Sequence, residues 1–389
     1  MTPPNARQAA AAAAAAAALP AGTVPPHRRL RIAVIAPLRY PIAEPHAGGL
    51  ESSIWHQVNH LRRRGHHVVL CAVEGSDFMQ SSPPEFTMPA AVWAPGVDGN
   101  DVDYPGGYLE VALPALDRAL DYLAANAASF DVVHNHSLHG LPLARAGSLG
   151  IPMISTLHTP VLPELVSSHD GAAGPRSRFV AVSTHTSNEW RRAGIGSRVM
   201  PNAVDSDRWP LGPGGDDLVW FGRIVVEKGA HLAIDAARRS GRRLVLAGRV
   251  GDPAYAAAEV WPRLSDDVVY AGDLRHDALA ALVGASACAL VTPTWQEPFG
   301  LIIAEALMTG TPVASFDAGG IREVVSGLPG TGLVEIGQCE ALADTAESLI
   351  AAIGAGALRR EDIRAAAVAR FALEARISEL EVLYRELAA

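Results

Sequence analysis

Residues 294–325 read TWQEPFGLIIAEALMTGTPVASFDAGGIREVV, and the rest of the chain is organised around them. Pro298-Phe299-Gly300 predicts the opening of a helix, because proline lacks only an N–H that the first helical turn leaves unpaired anyway. Leu301, Ile302, Ala304, Ala306 and Leu307 continue it as a mostly apolar helix, and Gly310 ends it. Such a start presents free N–H groups and the positive end of a dipole, a seat for phosphate. Glu297 stands at that start, and Glu305 lies about two turns deeper and roughly 80° around the axis. Two carboxylates reaching different parts of one phosphorylated ligand suit hydroxyl-rich groups such as a sugar and a ribose. The stretch therefore predicts a sugar-nucleotide site.

Around it the second half alternates short apolar runs with helical patterns. The runs are Leu218–Phe221, Leu244–Ala247, Val268–Tyr270, Cys288–Val291 and Val313–Phe316. Alternation at this spacing predicts a parallel sheet with right-handed crossovers. The first run leads into Gly222-Arg223-Ile-Val-Val-Glu-Lys228-Gly229. There Arg223 offers a planar fork for phosphate oxygens and Lys228 a compact charge. The first half begins with Leu30–Pro37, a run that reads as a strand buried on both faces. Then come Gly48 and Gly49, where backbone can approach a ligand closely, a helix, and a second strand. A dinucleotide fingerprint of the form G-x-G-x-x-G directly after the strand is missing, which argues against a nicotinamide-dependent oxidoreductase.

The spacing Glu297, seven residues, Glu305, with Pro298-Phe299-Gly300 inside and Gly319, Gly320 and Glu323 downstream, resembles the C-terminal domain of retaining glycosyltransferases of family 4. That resemblance implies an α/β chain of the GT-B class: two Rossmann-like, doubly wound domains facing each other across a cleft. It also implies hexosyl transfer from a nucleotide-diphosphate sugar to a hydroxyl acceptor, a UDP-sugar being favoured weakly over GDP-mannose. Arg223 and Lys228 match the loop that clamps the donor diphosphate, beginning at Gly222. The backbone at Phe299, Gly300 and Leu301 shares that task, while Glu297 holds the transferred sugar and Glu305 the ribose. Val250 and Leu274 fall where relatives present backbone to the nucleobase. Gly48 and Gly49 match a glycine-rich acceptor loop near the donor phosphates. Asp131-Val-Val-His-Asn-His136 carries its second histidine toward the sugar, so His136 joins Arg223, Lys228 and Glu297 as a catalytic candidate. His46 and His158 are acceptor-loop candidates. Asn202-Ala203-Val204-Asp205 resembles the interdomain hinge, with Ala where Gly is usual.

The expected divisions are a low-complexity Ala/Pro-rich tail over 1–29, an acceptor domain over 30–200, a nucleotide-sugar domain over 201–370, and a C-terminal helix over 371–389 that packs back on the first domain. Length supports two domains of ordinary size. The tail is expected to be a disordered segment and not an exported signal, since alanine is weakly apolar. Phe78 to Gly107, rich in Pro, Gly and Asp, is read as a long loop over the cleft, with Asp101-Val-Asp103 in it as a coincidental pair. A helix follows over about Leu109 to Ala125, and Phe179–Ser183 is read as the last strand of the first half. A final amphipathic helix is expected from Arg364 to Ala388.

The net charge of −9 argues against nucleic-acid partners. Cys71, Cys288 and Cys339 are widely spaced and odd in number, which fits a reducing, cytoplasmic setting rather than disulfides. His134, His136 and His139 lack a partner set with zinc spacing, and no metal or other cofactor is expected. Arg62, Arg63 and Arg64 at a helix end are read as a solvated cap; contact with a membrane through them and Trp55 is the lesser reading. The acceptor is open between a small molecule, a glycan and a glycolipid, and the residues do not set an oligomeric state. Alternatives on the same fold are a nucleotide-sugar epimerase, a phosphorylase, or a non-catalytic sugar-nucleotide binder.

Overall fold

The computed structural model describes residues 28–97, 99–101, 103–169 and 177–389. The tail expected over 1–29 falls almost wholly outside the described residues, as do parts of the loops over 78–107 and 158–176.

The first half is a parallel sheet of β1 (Arg31–Ile35), β2 (His67–Val73), β3 (Thr87–Met88), β4 (Val132–Asn135), β5 (Met153–Leu157), β6 (Ser177–Ala181) and β7 (Arg198–Val199). They lie in the order β3-β2-β1-β4-β5-β6-β7. The second half has β8 (Leu218–Phe221), β9 (Leu244–Ala247), β10 (Val268–Tyr270), β11 (Cys288–Val291), β12 (Val313–Phe316) and β13 (Thr331–Val334), in the order β10-β9-β8-β11-β12-β13. In both sheets the chain order reverses beside the first strand, the point where open α/β sheets collect ligands at strand carboxyl ends.

Side chains alternate across a strand, so each run feeds two cores. In the first half, Ala33 and Ile35 pack with helix α2 (Tyr108–Ala125), through Ala112, Leu116 and Leu120. Ile32 and Val34 pack on the other face with α1 (Gly49–Arg63), through Ile54, Val58 and Leu61. In the second half, Val219 and Phe221 meet α4 (Leu301–Met308) and α5 (Arg360–Phe371). Leu218 and Trp220 face the opposite layer, with Leu342 and with Ile234 of α3 (Ala230–Ser240).

The structure differs from expectation at several places. The first half does not end with β6: β7 adds an edge strand of only two residues, too short to carry a periodic signal. β13 was missed for a similar reason, since Thr331-Gly-Leu-Val is half-buried and broken by glycine. The segment after Phe78 contains two single-turn helices and β3 before it becomes irregular. Pro114 is the seventh residue of α2, not one of its first turn; it is exposed on the solvent face, where water can take the freed carbonyl. The C-terminal helix is broken at Ala372, between α5 and α6 (Leu373–Ala388). Across that break Val204 donates to Phe371 O at 2.8 Å and Leu373 donates to Val204 O at 3.0 Å. Both passages of the chain between the halves are thus tied together. α6 then buries Leu373, Ile377, Leu380 and Tyr384 in the core of the first half.

Candidate donor site at the junction of the two sheets

α4 starts at Leu301, three residues later than Pro298 suggested, and Gly300 caps it with φ of 81°. That left-handed conformation suits glycine. It lets the chain turn sharply out of Glu297-Pro298-Phe299 into the helix. Gly319, at φ 60°, covers this turn: a Cβ there would sit 2.4 Å from Glu297 O. Gly320 N donates to the same carbonyl at 2.8 Å. The downstream glycine pair therefore braces the backbone that carries Glu297.

Glu297 is buried and engaged twice. Its Oε2 accepts from Lys228 Nζ at 2.5 Å and from Trp295 Nε1 at 2.8 Å. Lys228 also lies 5.2 Å from the centre of the Trp295 ring, at cation–π distance. Glu305 is partly buried on α4, and desolvation pushes its carboxyl up to about 8, so at neutral pH it is mostly protonated. Phe299 is turned away: only 3% exposed, its ring packs edge-on against Phe371. Its side chain is a core residue, and only its backbone is available to a ligand.

Arg223 forms the second cluster, with residues of the first half. Arg223 Nη1 donates to Asp101 Oδ2 at 2.6 Å, and Arg249 Nη2 reaches both oxygens of Asp101 at 2.8 Å. Tyr40 also donates to Asp101, and its ring lies 4.7 Å from the Arg249 guanidinium. Burial would raise the Asp101 pKa, yet the bonds from Tyr40, Arg223 and Arg249 outweigh it and hold the carboxyl below its ordinary value. Asp101 was read as coincidental; it is the anion on which two cations converge. Glu51, in the first turn of α1, is buried beside this group, and desolvation raises its pKa despite the nearby Arg223 and Arg249.

Gly48 and Gly49 meet the second half here. A Cβ on Gly48 would lie 3.7 Å from Arg223, and one on Gly49 would lie 3.3 Å from Leu301. The loop of the first half thus covers both the Arg223 loop from Gly222 and the start of α4. Glu323 straps the same edge, accepting from Thr184 N at 2.7 Å and His185 N at 3.1 Å. Val250 pairs with Ile224 as an isolated bridge and rests partly buried on the core, as does Leu274.

The histidines are arranged differently from expectation. His136 is 3% exposed; its Nδ1 is 2.9 Å from His158 Nε2 and its Nε2 is 3.3 Å from the Gln57 amide. Both nitrogens of His136 are thus engaged within the first half, while His158 is half-buried and joined through its Nε2. His134 joins this stack and bonds Tyr384 of α6 at 2.6 Å. Burial lowers the pKa of His136 well below normal and brings His134 and His158 to about 3, so the stack is neutral. His139 stands apart, 3.1 Å from Glu164. His46 lies partly buried between the rings of Trp55 and His56, where desolvation brings it to about 4.

Arg62 and Arg64 do not form a solvated cap. Arg62 donates to Val68 O and Phe78 O, and Arg64 pairs with Glu374 and Glu381 of α6. Only Arg63 of the three stays exposed. Among the described residues no helix is long and apolar enough to cross a membrane.

Sequence reasoning missed Asp101, Glu51 and the side chain of Arg249. Arg249 had a signal: it follows a strand terminus just as Arg223 does. Asp101 had none, because an irregular loop gives no clue to its partner across the chain.

The model of Glycosyltransferase Family 4 matches residues 47–208, and that of Glycosyl transferases group 1 matches residues 215–352. Glycogen synthase of Mycobacterium tuberculosis is 28% identical over 321 residues, covering 72% of this chain and 76% of that protein. A GDP-mannose-dependent alpha-mannosyltransferase of Mycolicibacterium smegmatis is 27% identical over 326 residues, covering 76% and 82%. The crystal structure of Anabaena HepE in complex with UDP and glucose superposes with a TM-score of 0.69 at 19% identity, covering 91% of this chain and 99% of that one. With two Rossmann-like sheets meeting at the Arg223 and Glu297 clusters, and both halves matched in chain order, the chain belongs to glycosyltransferase family 4 and has the GT-B fold.

Proposed function

We propose that this glycosyltransferase moves a hexosyl group, with retention, from a nucleotide-diphosphate sugar to a hydroxyl acceptor. No metal ion acts at the diphosphate. The observation that carries the reading is the placement of Arg223 and the start of α4 under the Gly48-Gly49 loop, with Lys228 held on Glu297 just before that helix. As the diphosphate leaves, negative charge grows on it. Two fixed cations and exposed helix N–H groups can stabilise that charge without reorganising.

In this reading Arg223 exchanges Asp101 for the diphosphate, and Lys228 turns from Glu297 toward the departing oxygens. Glu297 then takes hydroxyls of the transferred sugar and Glu305 those of the ribose. Val250 and Leu274 lie near the base. The leaving phosphate oxygen accepts the acceptor's proton while the acceptor attacks the same face, so no enzyme carboxylate is needed as nucleophile. His136 serves through the neutral stack it forms with His134 and His158, shaping the first-half wall of the cleft. A UDP-sugar is the favoured donor, in line with the UDP and glucose bound by HepE; the mannosyltransferase relative keeps GDP-mannose as the rival.

The test is a thermal-shift panel of UDP-, GDP- and ADP-sugars, followed by NMR of the anomeric coupling in the product. Binding raises the melting temperature by mass action. The expected result is a shift with UDP-sugars, product with the donor's anomeric configuration, and a rate indifferent to added Mg²⁺ or Mn²⁺. An inverted product or a rate proportional to Mg²⁺ overturns the mechanism. Donor consumption without acceptor would make the protein an epimerase.

A further inference from the structure

His56 and His60 stand one helical turn apart on α1, in the sequence HQVNH. His60 Nδ1 faces the carbonyl oxygen of His56 at 3.0 Å, so in the neutral ring this nitrogen carries the proton and Nε2 presents a lone pair. Nε2 faces Asp205 Oδ2 at 3.7 Å and Glu374 Oε1 at 3.7 Å. His56 Nδ1 lies 3.9 Å from the same Asp205 oxygen. His56 is 7% exposed, and among the described residues its Nδ1 has no hydrogen-bond partner. Two imidazoles and the Asp205 carboxylate therefore face one another, with a second carboxylate, Glu374, beside His60.

We propose that His56 Nδ1, His60 Nε2, Asp205 and Glu374 form a site for a divalent transition metal of the zinc class, at the passage of the chain between its two halves. The His56, His60 and Asp205 ligand atoms all lie within 4.8 Å of one another. In a tetrahedral zinc site with bonds of ~2.0–2.1 Å, ligand atoms stand roughly 3.3 Å apart, so the measured separations close by small side-chain movements. The mixed nitrogen and oxygen set suits Zn²⁺ or Co²⁺, whereas Mg²⁺ and Ca²⁺ prefer oxygen alone.

Outer partners already orient the ligands. The His60 ring is set by its bond to a backbone carbonyl, and the other oxygen of Asp205 accepts from Asp207 N at 3.1 Å. Arg64 holds the second oxygen of Glu374. The ligands come from α1, from the residue after Val204 and from the start of α6. A bound ion thus fastens the first half to both passages of the chain at once. This site is separate from the Arg223 and Glu297 clusters, and its existence does not depend on the donor chemistry.

The test uses the full chain, stripped with a chelator, dialysed and titrated with Co²⁺ alone. Visible ligand-field bands and thermal melting are followed, and Zn²⁺ is then added. The expected result is one equivalent of the intense absorption of tetrahedral Co²⁺, quenched by Zn²⁺. The melting temperature should rise by about 3–8 °C at saturation. His56→Gln and Asp205→Asn should each abolish both responses while circular dichroism shows the fold intact. If His56→Gln fails to fold, Asp205→Asn decides alone. Absence of the bands in the parent chain overturns the proposal, as does their persistence in Asp205→Asn, which would place the ion on the His134–His136–His158 stack. A loss of stability in the variants with no metal response in the parent also overturns it, in favour of a direct structural contact between His60 and Asp205.

Discussion

Asp101 of the first half and Arg223 of the second are joined at 2.6 Å, and Asp101 is almost fully enclosed while it holds Arg223. A carboxylate thereby occupies the guanidinium fork that a diphosphate would need. Asp101→Asn is expected to weaken this hold on Arg223 and Arg249 and to tighten donor binding about 3–10-fold by calorimetry. Losing a partly buried charge partner should also cost on the order of 1–3 kcal/mol of stability in a denaturant melt. Weaker donor binding in the variant would mean that Asp101 positions Arg223 for the ligand instead of competing with it.

Lys228 and Glu297 form the second pair whose disruption should show in the rate. Lys228→Ala is expected to lower kcat by about 10²–10³, the size of effect seen when one stabilising group for a developing anion is removed. Glu297→Gln should lower kcat/KM as well. Because the two side chains touch, the double variant should lose less than the sum of the singles, by on the order of 1 kcal/mol or more in a kinetic cycle. Strict additivity would show that they act independently.

Glu305 should make stability fall as pH rises. Its unfolded carboxyl titrates near 4.5 and its folded carboxyl at about 8. Between those values the folded state holds the extra proton, so stability declines across this window and levels off above it. Glu305→Gln should therefore stabilise by about 2–4 kcal/mol at pH 8 and by little at pH 4.5, at ~1.4 kcal/mol per pKa unit discounted for partial exposure. If ribose hydroxyls donate to this carboxyl they favour its ionised form, and donor binding should release a proton. Calorimetry at neutral pH in buffers of different ionisation enthalpy measures that release.

The buried histidines act in the opposite sense. His46 is brought to about 4, His56, His134 and His158 to about 3, and His136 is held well below its ordinary value by burial and its histidine neighbours. On unfolding each regains a pKa near 6.5, so the unfolded state takes up more protons as pH falls below that value. Stability present above pH 6.5 should be lost steeply toward pH 4. Together these five groups outweigh the opposing contributions of the raised carboxyls of Glu305, Glu51 and Asp273. Melting temperatures measured from pH 7.5 to 5 should drop, with an onset near 6.5; a flat profile would show that the stack opens to solvent.

Apolar runs and their spacing revealed the two sheets, because strands buried on both faces leave little choice of residue. Leu244–Ala247 and Cys288–Val291 are examples. The two-residue edge strand β7 carries no such constraint and was invisible. Around the site, Glu297, Lys228 and Arg223 were legible since their spacing follows strand ends and one helix. Asp101 was not, because its role depends on a contact with residues more than a hundred positions away. His136 was legible as a position, but its enclosure depends on Gln57 and His158, from separate elements. His56 and His60 were readable as one helical face, while Asp205 and Glu374 join them only in three dimensions.

The burial of Leu373, Ile377, Leu380 and Tyr384 beneath the first sheet has a consequence for biosynthesis. The ribosome makes residues 30–200 early, but the piece that seals their interior is translated only after the second half. Until α6 emerges the nascent first half exposes a greasy groove along Ile32, Val34 and Ile54, which chaperones can cover. A ribosome stalled before codon 373 would hold a completed second half beside an unfinished first one.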